Sequence, residues 1–225
     1  MSTICWNCRG LKEPTNRESA CRNRVGKPST VFLAKTWMNE DRLIHIQDHL
    51  QFKNRFVVHR ISKAWRLVLF WKEGFVLDVQ RFSKYHIDAK INQNTNGEWC
   101  FTRFYGDPDT SRRHEAWDRL RRLKNRGSST WICAGDFNEI TRQSEKIGGR
   151  IQSHNQMQPF REVLDECRLI DLGFAGSMFT WQKHYPAYMV WERLDRAVAS
   201  TKWLAKFLDT KVYHLDVPAS DHKPL

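Results

Sequence analysis

Short segments rich in β-branched and aromatic residues recur along the whole chain, and turn-forming residues separate them. Such segments favour β-strands, because branched and aromatic side chains pack well on a pleated surface. A chain with this many strand-like segments is expected to fold around β-sheets rather than as a helical bundle. The predicted strands are residues 3–7, 30–34, 55–61, 66–71, 75–82, 86–91, 99–106, 130–138, 193–199 and 211–216.

Three other segments are predicted as helices: residues 111–127, 155–169 and 201–209. The middle one has an apolar stripe at spacings of three and four, made by Met157, Phe160, Val163 or Leu164, and Cys167. Strands in hairpins with helices outside them predict an α+β fold, in which two sheets lie face to face in a four-layer α/β/β/α sandwich. Residues 12–29 occupy the place of a further covering helix but contain almost no large apolar side chain.

The length of 225 residues suits one domain, and no Pro/Ser-rich linker, internal repeat or low-complexity tract divides the chain. We therefore expect residues 1–225 to form a single domain. The opening stretch MSTICWNCRG lacks the basic leader and apolar core of a signal peptide, and no apolar run approaches the ~20 residues of a membrane helix. These features predict an intracellular protein that is neither secreted nor bound to a membrane. No obligate protein partner is evident.

The formal net charge of +12 predicts a polyanionic partner, and nucleic acid is the usual one. Much of this charge lies in residues 111–127. The apolar residues of that segment follow helical spacing: Trp117, Leu120 and either Leu123 or Lys124. Its arginines form either a solvated outer helix face or a face that tracks phosphates. The predicted nucleic-acid contacts are Arg9, Arg112, Arg113, Arg121 and Arg122.

One predicted buried strand ends directly in polar residues, within the stretch WICAGDFNEI at 131–140. If the strand continues to residue 138, alternation of side chains places Asp136 and Asn138 on one face and Phe137 on the other. Two polar groups would then project together from the rim of the sheet. The alternative is a turn, because Asp and Asn favour turns through local hydrogen bonds.

Other predicted strands also end in polar residues, or are followed by them: Asn7, Tyr105, Asp195, Asp221 and His222. Strand ends at one rim of a sheet are where folds commonly place their chemistry. Phosphoester hydrolysis uses such a set, because carboxylates hold Mg²⁺ or align water, His transfers protons, and Tyr and Asn bond phosphoryl oxygens. Each residue alone also has a structural explanation, such as an ion pair of Asp195 with Arg193 or Arg196.

Taken together and in order, these motifs resemble the endonuclease/exonuclease/phosphatase superfamily with the DNase-I-like fold. Within it, the chain resembles in particular the endonuclease domain of plant non-LTR (LINE-type) retrotransposons. GDFN and the SDH near the end of the chain are the most specific part of the resemblance. The shared stretches are WNCRGL (6–11), VFLAKT (31–36), FYGDP (104–108), WICAGDFNEI (131–140), EKIGG (145–149), FTW (179–181), ERLDRAVAS (192–200) and SDHKPL (220–225).

The resemblance implies a Mg²⁺-dependent phosphodiester hydrolase of the endonuclease type, with DNA as the presumed substrate and the nucleus as its location. Asp136 would align or deprotonate the attacking water. Asn138 and Tyr105 would bond oxygens of the phosphate. His222 would stabilise the pentacovalent phosphate while Asp195 holds its ring.

The resemblance also implies a metal site, with Asn7 beside the metal and Asp221 helping to bind it or to protonate the leaving group. The family's principal Mg²⁺ ligand is a glutamate in an ET pair, and that pair reads Lys35-Thr36 here. Because an ammonium group repels the cation that a carboxylate attracts, we expect weak or lost Mg²⁺ binding and impaired activity. Alternatively, the ammonium replaces part of the cation's charge against phosphate.

The chain stops at Leu225, where the family continues into a further strand. The sandwich is therefore expected to be truncated at its C-terminal strand, and His222 is expected to fray with the terminus. Three alternatives stay open. One is a non-catalytic nucleic-acid-binding remnant of a retrotransposon endonuclease, which a steep salt dependence of binding without cleavage would select. The others are a phosphatase of small phosphoesters and a chain that does not fold stably.

Overall fold

Two large β-sheets pack face to face, and helices cover their outer surfaces, as the four-layer prediction expects. The fold is that of a computed structural model, which describes residues 1–8, 27–36, 38–58, 66–124, 130–217 and 220–225. Arg9, a predicted nucleic-acid contact, lies outside these ranges. So do residues 12–26 of the segment 12–29, which was expected in the place of a covering helix.

The smaller main sheet has four strands in the spatial order β1 (Thr3–Asn7), β2 (Thr30–Thr36), β4 (Arg66–Trp71) and β3 (Asn54–Val58). The larger one has six strands in the order β10 (Leu169–Asp171), β14 (Asp195–Ser200), β8 (Trp131–Asp136), β7 (Trp99–Tyr105), β6 (His86–Ile91) and β5 (Leu77–Ser83). Two smaller sheets contain β12 (Trp181–Tyr185), β13 (Tyr188–Glu192) and β9 (Lys146–Ile147), and β11 (Ala175–Gly176) with β15 (Tyr213–His214). The helices are α1 (Glu40–His49), α2 (Arg113–Lys124), α3 (His154–Cys167) and α4 (Thr201–Lys206).

Helix α1 covers the outer face of the four-stranded sheet, and it was not predicted from the sequence. Leu43 and Ile46 are its buried residues, and they pack on apolar side chains of β1, β2 and β4. Two buried residues make a stripe too short to stand out among charged neighbours. A capping signal was nevertheless present, because the side chain of Asn39 accepts a hydrogen bond from the Arg42 N–H and acidic residues fill the first turn.

The space between the two main sheets is filled by apolar side chains from both of them. Cys5, Phe32 and Leu69 come from the four-stranded sheet, and Ile87 and Tyr105 come from the six-stranded sheet. Burying a side chain of the size of Phe32 stabilises a fold by roughly 1.5 to 3 kcal/mol. This shared core brings one end of the two sheets together, which positions the polar strand ends described below.

Helices α2 and α3 cover the outer face of the six-stranded sheet through a stack of aromatic rings. Trp117 of α2 stacks on Phe160 of α3 at 4.7 Å between ring centroids, and Phe137 packs on Phe160 at 5.2 Å. Leu123, rather than Lys124, completes the apolar stripe of α2. Of the arginines of α2, Arg122 is exposed, whereas Arg113, Arg119 and Arg121 are half-buried, so only part of the basic face is open to solvent.

Several segments differ from their predicted limits. The strand predicted at 211–216 is only the two-residue strand β15. The strand predicted at 55–61 begins one residue earlier, as β3, and its predicted last residues, 59–61, lie outside the described residues. The β12–β13 hairpin was not predicted, although aromatic residues flank Pro186 on both sides. No helix in the described part of the chain is long and apolar enough to cross a membrane.

The end of the chain is held in the four-stranded sheet. Leu225 exchanges two backbone hydrogen bonds with Cys5, with N–O distances of 3.0 and 2.9 Å, and its side chain joins the core between the sheets. The N–H of Leu215 donates to the carbonyl of Pro224 at 2.8 Å. The expectation that His222 frays with the terminus is therefore wrong, because the residues that follow it are anchored by other parts of the fold.

Lowering the pH from about 6.5 to about 4 is expected to destabilise the fold by about 3 kcal/mol through His214 alone. His214 is buried, stacks on Phe174, and places Nδ1 2.6 Å from the carbonyl of Ser177. Burial lowers the pKa of His214 from 6.5 to about 4. In this window the unfolded chain binds a proton that the folded chain does not, so stability is complete above the window and falls as the pH drops through it.

Urea unfolding at several pH values measures this slope. His214→Asn is the control, because its amide can donate to the Ser177 carbonyl without titrating. A variant with the same slope as the wild type would assign the pH dependence to other groups.

Candidate active site

Polar residues from three adjacent strands of the six-stranded sheet meet at one rim. Asp136 is the last residue of β8, and its register partners are Tyr105 at the end of β7 and Asp195 at the start of β14. Because β7 runs parallel to β8 while β14 runs antiparallel, two strand ends and one strand start fall side by side. All three residues are buried. The rim predicted from the sequence is thus assembled by strand register.

The residues that follow β8 form a turn, not a continued strand. The strand ends at Asp136, and Asn138 has a φ of 55°, in the left-handed region. The Asn138 N–H donates to Oδ1 of Asp136 at 2.9 Å, which is the local hydrogen bond of an Asx turn. The extended alternation expected up to residue 138 is therefore wrong, and the turn alternative is correct.

The turn still keeps both polar residues at the rim. Phe137 points into the aromatic core under α2 and α3, and the side-chain amide of Asn138 donates to the carbonyl of Gly106 at 2.9 Å. Gly135 lets β8 lie close to Phe104 of β7, because a Cβ at position 135 would lie 1.9 Å from the Phe104 carbonyl oxygen. A glycine directly before Asp136 is thus a steric requirement of the site.

Asp195 and His222 form a buried hydrogen-bonded pair. Nδ1 of His222 lies 2.8 Å from Oδ2 of Asp195, and both side chains are almost fully buried. The neighbouring Arg193 and Arg196 do not pair with Asp195, because their guanidinium groups contact Glu145 and Asp171 instead. The ion pair considered from the sequence is therefore absent from this part of the structure, and Asp195 orients a histidine.

Two residues that were not predicted as part of the site hold this pair in place. The indole Nε1 of Trp6 donates to the carbonyl of His222 at 3.1 Å. Oγ1 of Thr180 accepts the N–H of Asp195 at 2.9 Å, and the carbonyl of Thr180 accepts the N–H of Lys223 at 2.7 Å. Both residues belong to stretches that carry the family resemblance, WNCRGL and FTW, so the signal for them was present in the sequence.

Asn7 joins the two main sheets at the rim. Its Nδ2 lies 2.6 Å from Oδ2 of Asp136 and 3.1 Å from Nε2 of His222. The carboxylate can only accept, so the amide nitrogen faces it and Oδ1 of Asn7 points elsewhere. That oxygen is buried and has no hydrogen-bond partner among the described residues. A buried amide oxygen in this state is available to a cation or a donor group.

The carboxylates around His222 control its protonation. Burial by itself lowers the pKa of His222, but the carboxylates of Asp195 and Asp136 outweigh burial and raise the pKa above its ordinary value. Nε2 lies 3.8 Å from Oδ2 of Asp136. The imidazole can therefore carry a proton near neutral pH and present it at the rim.

Lys35 lies beside these residues, at the end of β2. Its neighbour Ala34 pairs with Asn7, and its Nζ sits 5.0 Å from the centroid of the Tyr105 ring. The register of β2 against β4 shifts between Leu33 and Thr36, and Lys35 has a φ of 55°. A bulge with a left-handed residue re-aims a side chain, and here it directs a buried ammonium group towards the rim.

The side chains at the rim include a group that suits a metal ion. Asp136, Asp195 and His222 each offer one ligand atom, and these atoms all lie within 4.8 Å of one another. Together with the unpartnered oxygen of Asn7, they form a donor set of oxygen atoms and one nitrogen. Asp221, predicted as a ligand, is not a member of this cluster, and it lies half-buried beside it.

The predicted nucleic-acid contacts that the structure describes are mostly paired with carboxylates. Arg113 contacts Glu139, Arg121 contacts Glu166 and Asp118, and Arg112 lies 3.7 Å from Asp107. Arg122 is exposed on the same helix. None of these residues contacts the cluster at the rim within the described ranges, so their role in binding stays a prediction.

A buried ion-pair network lies behind the rim. Glu145 accepts from Nη1 of Arg193 at 3.0 Å and from Nη2 of Arg196 at 2.9 Å, and Asp171 contacts both guanidinium groups. Burial raises the pKa of Glu145, but Arg196 and Arg193 outweigh it and hold the pKa below its ordinary value. The N–H of Arg193 also donates to the Glu145 carbonyl, which ties the start of β14 to this network.

Comparisons with known proteins agree with this architecture. The endonuclease domain of TRAS1, a telomere-specific non-LTR retrotransposon, is 14% identical with a TM-score of 0.70, over 99% of this chain and 94% of that chain. The AP endonuclease LMAP from Leishmania major is 19% identical with a TM-score of 0.71, over 99% and 85%. The 3′–5′ exonuclease NExo from Neisseria Meningitidis is 15% identical with a TM-score of 0.69, over 100% and 97%. A comparison with curated proteins found no match.

These similarities establish the DNase-I-like fold, and a family model makes the relationship specific. The model that matches describes the Endonuclease/Exonuclease/phosphatase family and covers residues 4–222. That range includes Asn7 near its start and His222 at its end, so it contains every strand end that contributes to the rim. The chain therefore belongs to the Endonuclease/Exonuclease/phosphatase family.

Proposed function

We propose that the protein is a phosphodiester hydrolase of the endonuclease type, with DNA as the presumed substrate and Mg²⁺ as its metal. We further propose that Lys35 weakens metal binding and impairs the activity, and that the domain derives from a plant LINE-type retrotransposon. The observation that carries the proposal is the buried Asp195–His222 pair beside Asp136 and Asn7. Burying two carboxylates this close together costs free energy, and such costs concentrate at functional sites.

The geometry suggests how the residues share the reaction. Asp195 holds the ring of His222, so that Nε2 faces the rim, where it can donate a proton to a phosphate oxygen as charge develops. Asp136 would align the attacking water, while Asn138 and Tyr105 would bond other phosphate oxygens. These roles follow the resemblance residue by residue, and the short distances between the side chains support them.

Asn7 and Asp136 would hold Mg²⁺, with Asp221 on the more open side of the site. When bound, the ion would polarise a phosphoryl oxygen and neutralise developing charge. The ammonium of Lys35 would compete with the ion, because it is a buried positive charge over the ring of Tyr105, which lies at the same rim. We therefore expect the wild type to need a high Mg²⁺ concentration.

Nucleic acid is the proposed substrate class because of the charge of the chain and the proteins it is similar to. The formal net charge is +12. A variant of the 3′ phosphatase NExo from Neisseria, whose structure matches with a TM-score of 0.68, is bound to product DNA hairpin. A basic protein with this fold is suited to a polyanionic substrate.

Nicking of supercoiled plasmid by the purified protein, over a series of Mg²⁺ concentrations, tests the proposal. We expect the wild type to nick the plasmid only at high Mg²⁺ concentrations. In Asp136→Asn the nicking rate is expected to fall by about 100-fold or more, since this change removes the charge that aligns water. Asp118→Asn is the matched control, because Asp118 is exposed on α2. Nicking that needs no divalent metal, or that survives Asp136→Asn, would contradict the proposal.

The second candidate function is non-catalytic nucleic-acid binding, which the buried Lys35 in place of a metal ligand favours. In that case the protein binds DNA or RNA, and the affinity falls steeply with salt because counterions are released. The discriminating result is binding without nicking at any Mg²⁺ concentration, together with no nicking by Lys35→Glu. Filter binding at several salt concentrations measures it.

A further inference from the structure

Two loops at the rim lie directly against each other: the β7 loop, residues 106–109, and the β8 loop, residues 137–140. The N–H of Gly106 donates to the carbonyl of Asp136 at 2.7 Å, and the side-chain amide of Asn138 donates to the carbonyl of Gly106 at 2.9 Å. A Cβ at position 106 would lie 2.1 Å from a carbonyl oxygen of the β8 loop, so the two main chains leave no space for a side chain there. The place of Asn138 at the rim therefore depends on the contact between these loops.

Arg113, the first residue of α2, bonds both loops at once. Its Nε donates to the carbonyl of Asp107 in the β7 loop at 3.2 Å, and its Nη1 donates to the carboxylate of Glu139 in the β8 loop. A guanidinium group holds its donors in a rigid fork, so one side chain can fix two acceptors relative to each other. Arg113 therefore joins the two loops.

The contact between Arg113 and Glu139 is buried. The side chain of Glu139 is 1% exposed and that of Arg113 is 13% exposed. Oε1 of Glu139 accepts the N–H of Ile140 at 3.0 Å, and Oε2 accepts the side-chain amide of Gln156, in α3, at 3.3 Å. Burial raises the pKa of Glu139, and the guanidinium of Arg113 opposes that rise. Nε and Nη1 of Arg113 thus point into the protein, whereas Arg122 of the same helix is exposed.

We propose that Arg113 is a positioning residue, which holds the β7 and β8 loops together and does not contact DNA. It acts through Glu139 and the main chain of Asp107, and it thereby keeps Asp136 and Asn138 in place for the proposed hydrolysis. The joining of the loops and the lack of a DNA contact do not depend on activity, whereas the effect on the reaction rate rests on the proposed function. Separating the loops is expected to slow the reaction at saturating DNA, because small displacements of catalytic groups are costly.

Arg113→Met/Glu139→Gln is the test variant, because it removes the link between the loops without a change in net charge. It leaves no buried charge unpaired, so we expect it to fold. Arg113→Lys is a milder variant, which keeps a charge beside Glu139 but lacks the fork, and the same effects are expected in it at a smaller size. Lys90→Met/Glu98→Gln is the matched control, because this half-buried ion pair, with Nζ and Oε1 3.0 Å apart, lies near the other end of β7.

Hydrogen exchange of the Gly106 and Asn138 amides measures the contact between the loops, whether or not the protein is active. Both amides donate to Asp136, so we expect about tenfold faster exchange or more at both in the test variant and no change in the control. Exchange at the Cys133 amide, in the middle of β8, should stay within about twofold. Unchanged exchange at Gly106 and Asn138 would overturn the proposal. Equal acceleration at Cys133 would also overturn it, because Arg113 would then contribute to overall stability alone.

Binding and nicking of DNA separate a positioning residue from a phosphate contact. Loss of a phosphate contact lowers the salt slope of binding by about one, and we expect an unchanged slope in filter binding without metal. The nicking rate at saturating DNA is expected to fall by about tenfold or more in the test variant, with KM within about threefold. A smaller salt slope, or a higher KM at an unchanged kcat, would overturn the proposal. If the wild type does not nick, the proposed function fails, while exchange and binding still decide whether Arg113 joins the loops or contacts DNA.

Discussion

Replacing Lys35 by glutamate is expected to raise the affinity for Mg²⁺ by about 100-fold or more and to move nicking to lower Mg²⁺ concentrations. Unit charges about 4 Å apart interact by about 4 kcal/mol at an effective dielectric constant of 20. The substitution removes one repulsion and adds one attraction, so even a partly realised change of about 3 kcal/mol gives this factor. Lys35 is buried beside the rim, which limits screening by salt.

Calorimetric titration with Mg²⁺ measures the affinity directly, and the Mg²⁺-dependent rise in Tm provides a second readout. The same titration is followed by plasmid nicking. In Lys35→Glu/His222→Ala, metal binding should largely persist, because the proposed ligands Asn7 and Asp136 are kept and His222 acts as the proton donor rather than as a ligand. Nicking should fall by about 1000-fold, since the proton donor is gone. This pair of variants separates the metal site from proton transfer.

Lys202→Glu is the control for the change in net charge. Lys202 is exposed on α4, which follows β14 at the end opposite to Asp195. It should alter neither metal affinity nor nicking. If the wild type binds Mg²⁺ as tightly as Lys35→Glu and nicks through His222, then Lys35 does not impair the site and the metal is held by Asn7, Asp221 and water.

Removing the carboxylate of Glu145 is expected to destabilise the fold by about 3 to 5 kcal/mol. Glu145 is 1% exposed and accepts hydrogen bonds from the guanidinium groups of Arg193 and Arg196, which are themselves buried. Glu145→Ala leaves two positive charges in the interior with Asp171 as their remaining carboxylate. Because domains are stable by only about 5 to 15 kcal/mol, this is a large fraction of the total.

Urea unfolding of Glu145→Ala measures the loss as a lower midpoint at an unchanged slope. Glu162→Ala is the matched control, because Glu162 is exposed on α3, and its effect should stay within about 0.5 kcal/mol. A loss below about 1 kcal/mol in Glu145→Ala would show that Asp171 alone compensates both guanidinium groups.

Elements with a strong local pattern could be predicted from the sequence. β1 and β6 have their predicted limits, and α3 was located within two residues at each end, because their apolar spacing is regular over the whole element. Helix α1 and the β12–β13 hairpin were missed. Both bury few side chains of their own and depend on contacts with the rest of the fold, so their local patterns are weak.

In the candidate site, too, some residues could be predicted from local sequence patterns and others depend on tertiary contacts. The polar residues that end β1, β7 and β8 could be identified by their position after apolar strands. The supporting role of Thr180 was not predicted, although its stretch FTW belongs to the resemblance, because that role arises from hydrogen bonds to Asp195 and Lys223, which are distant in sequence. The turn at Asn138 was one of two local possibilities, and the hydrogen bond to Asp136 selected it.

The sequence by itself determined the strand-rich composition, the polar strand ends, the positive charge, and the presence of lysine at position 35, because each is a property of one segment or of single residues. Only the tertiary structure decided that Asn7 of one sheet bonds Asp136 of the other, and that Asp195 pairs with His222 rather than with an arginine. These contacts join residues 129 and 27 positions apart. Local preferences do not specify contacts between residues so far apart in the sequence. Burial of the core between the sheets fixes these contacts, since it leaves one register in which both apolar faces are covered.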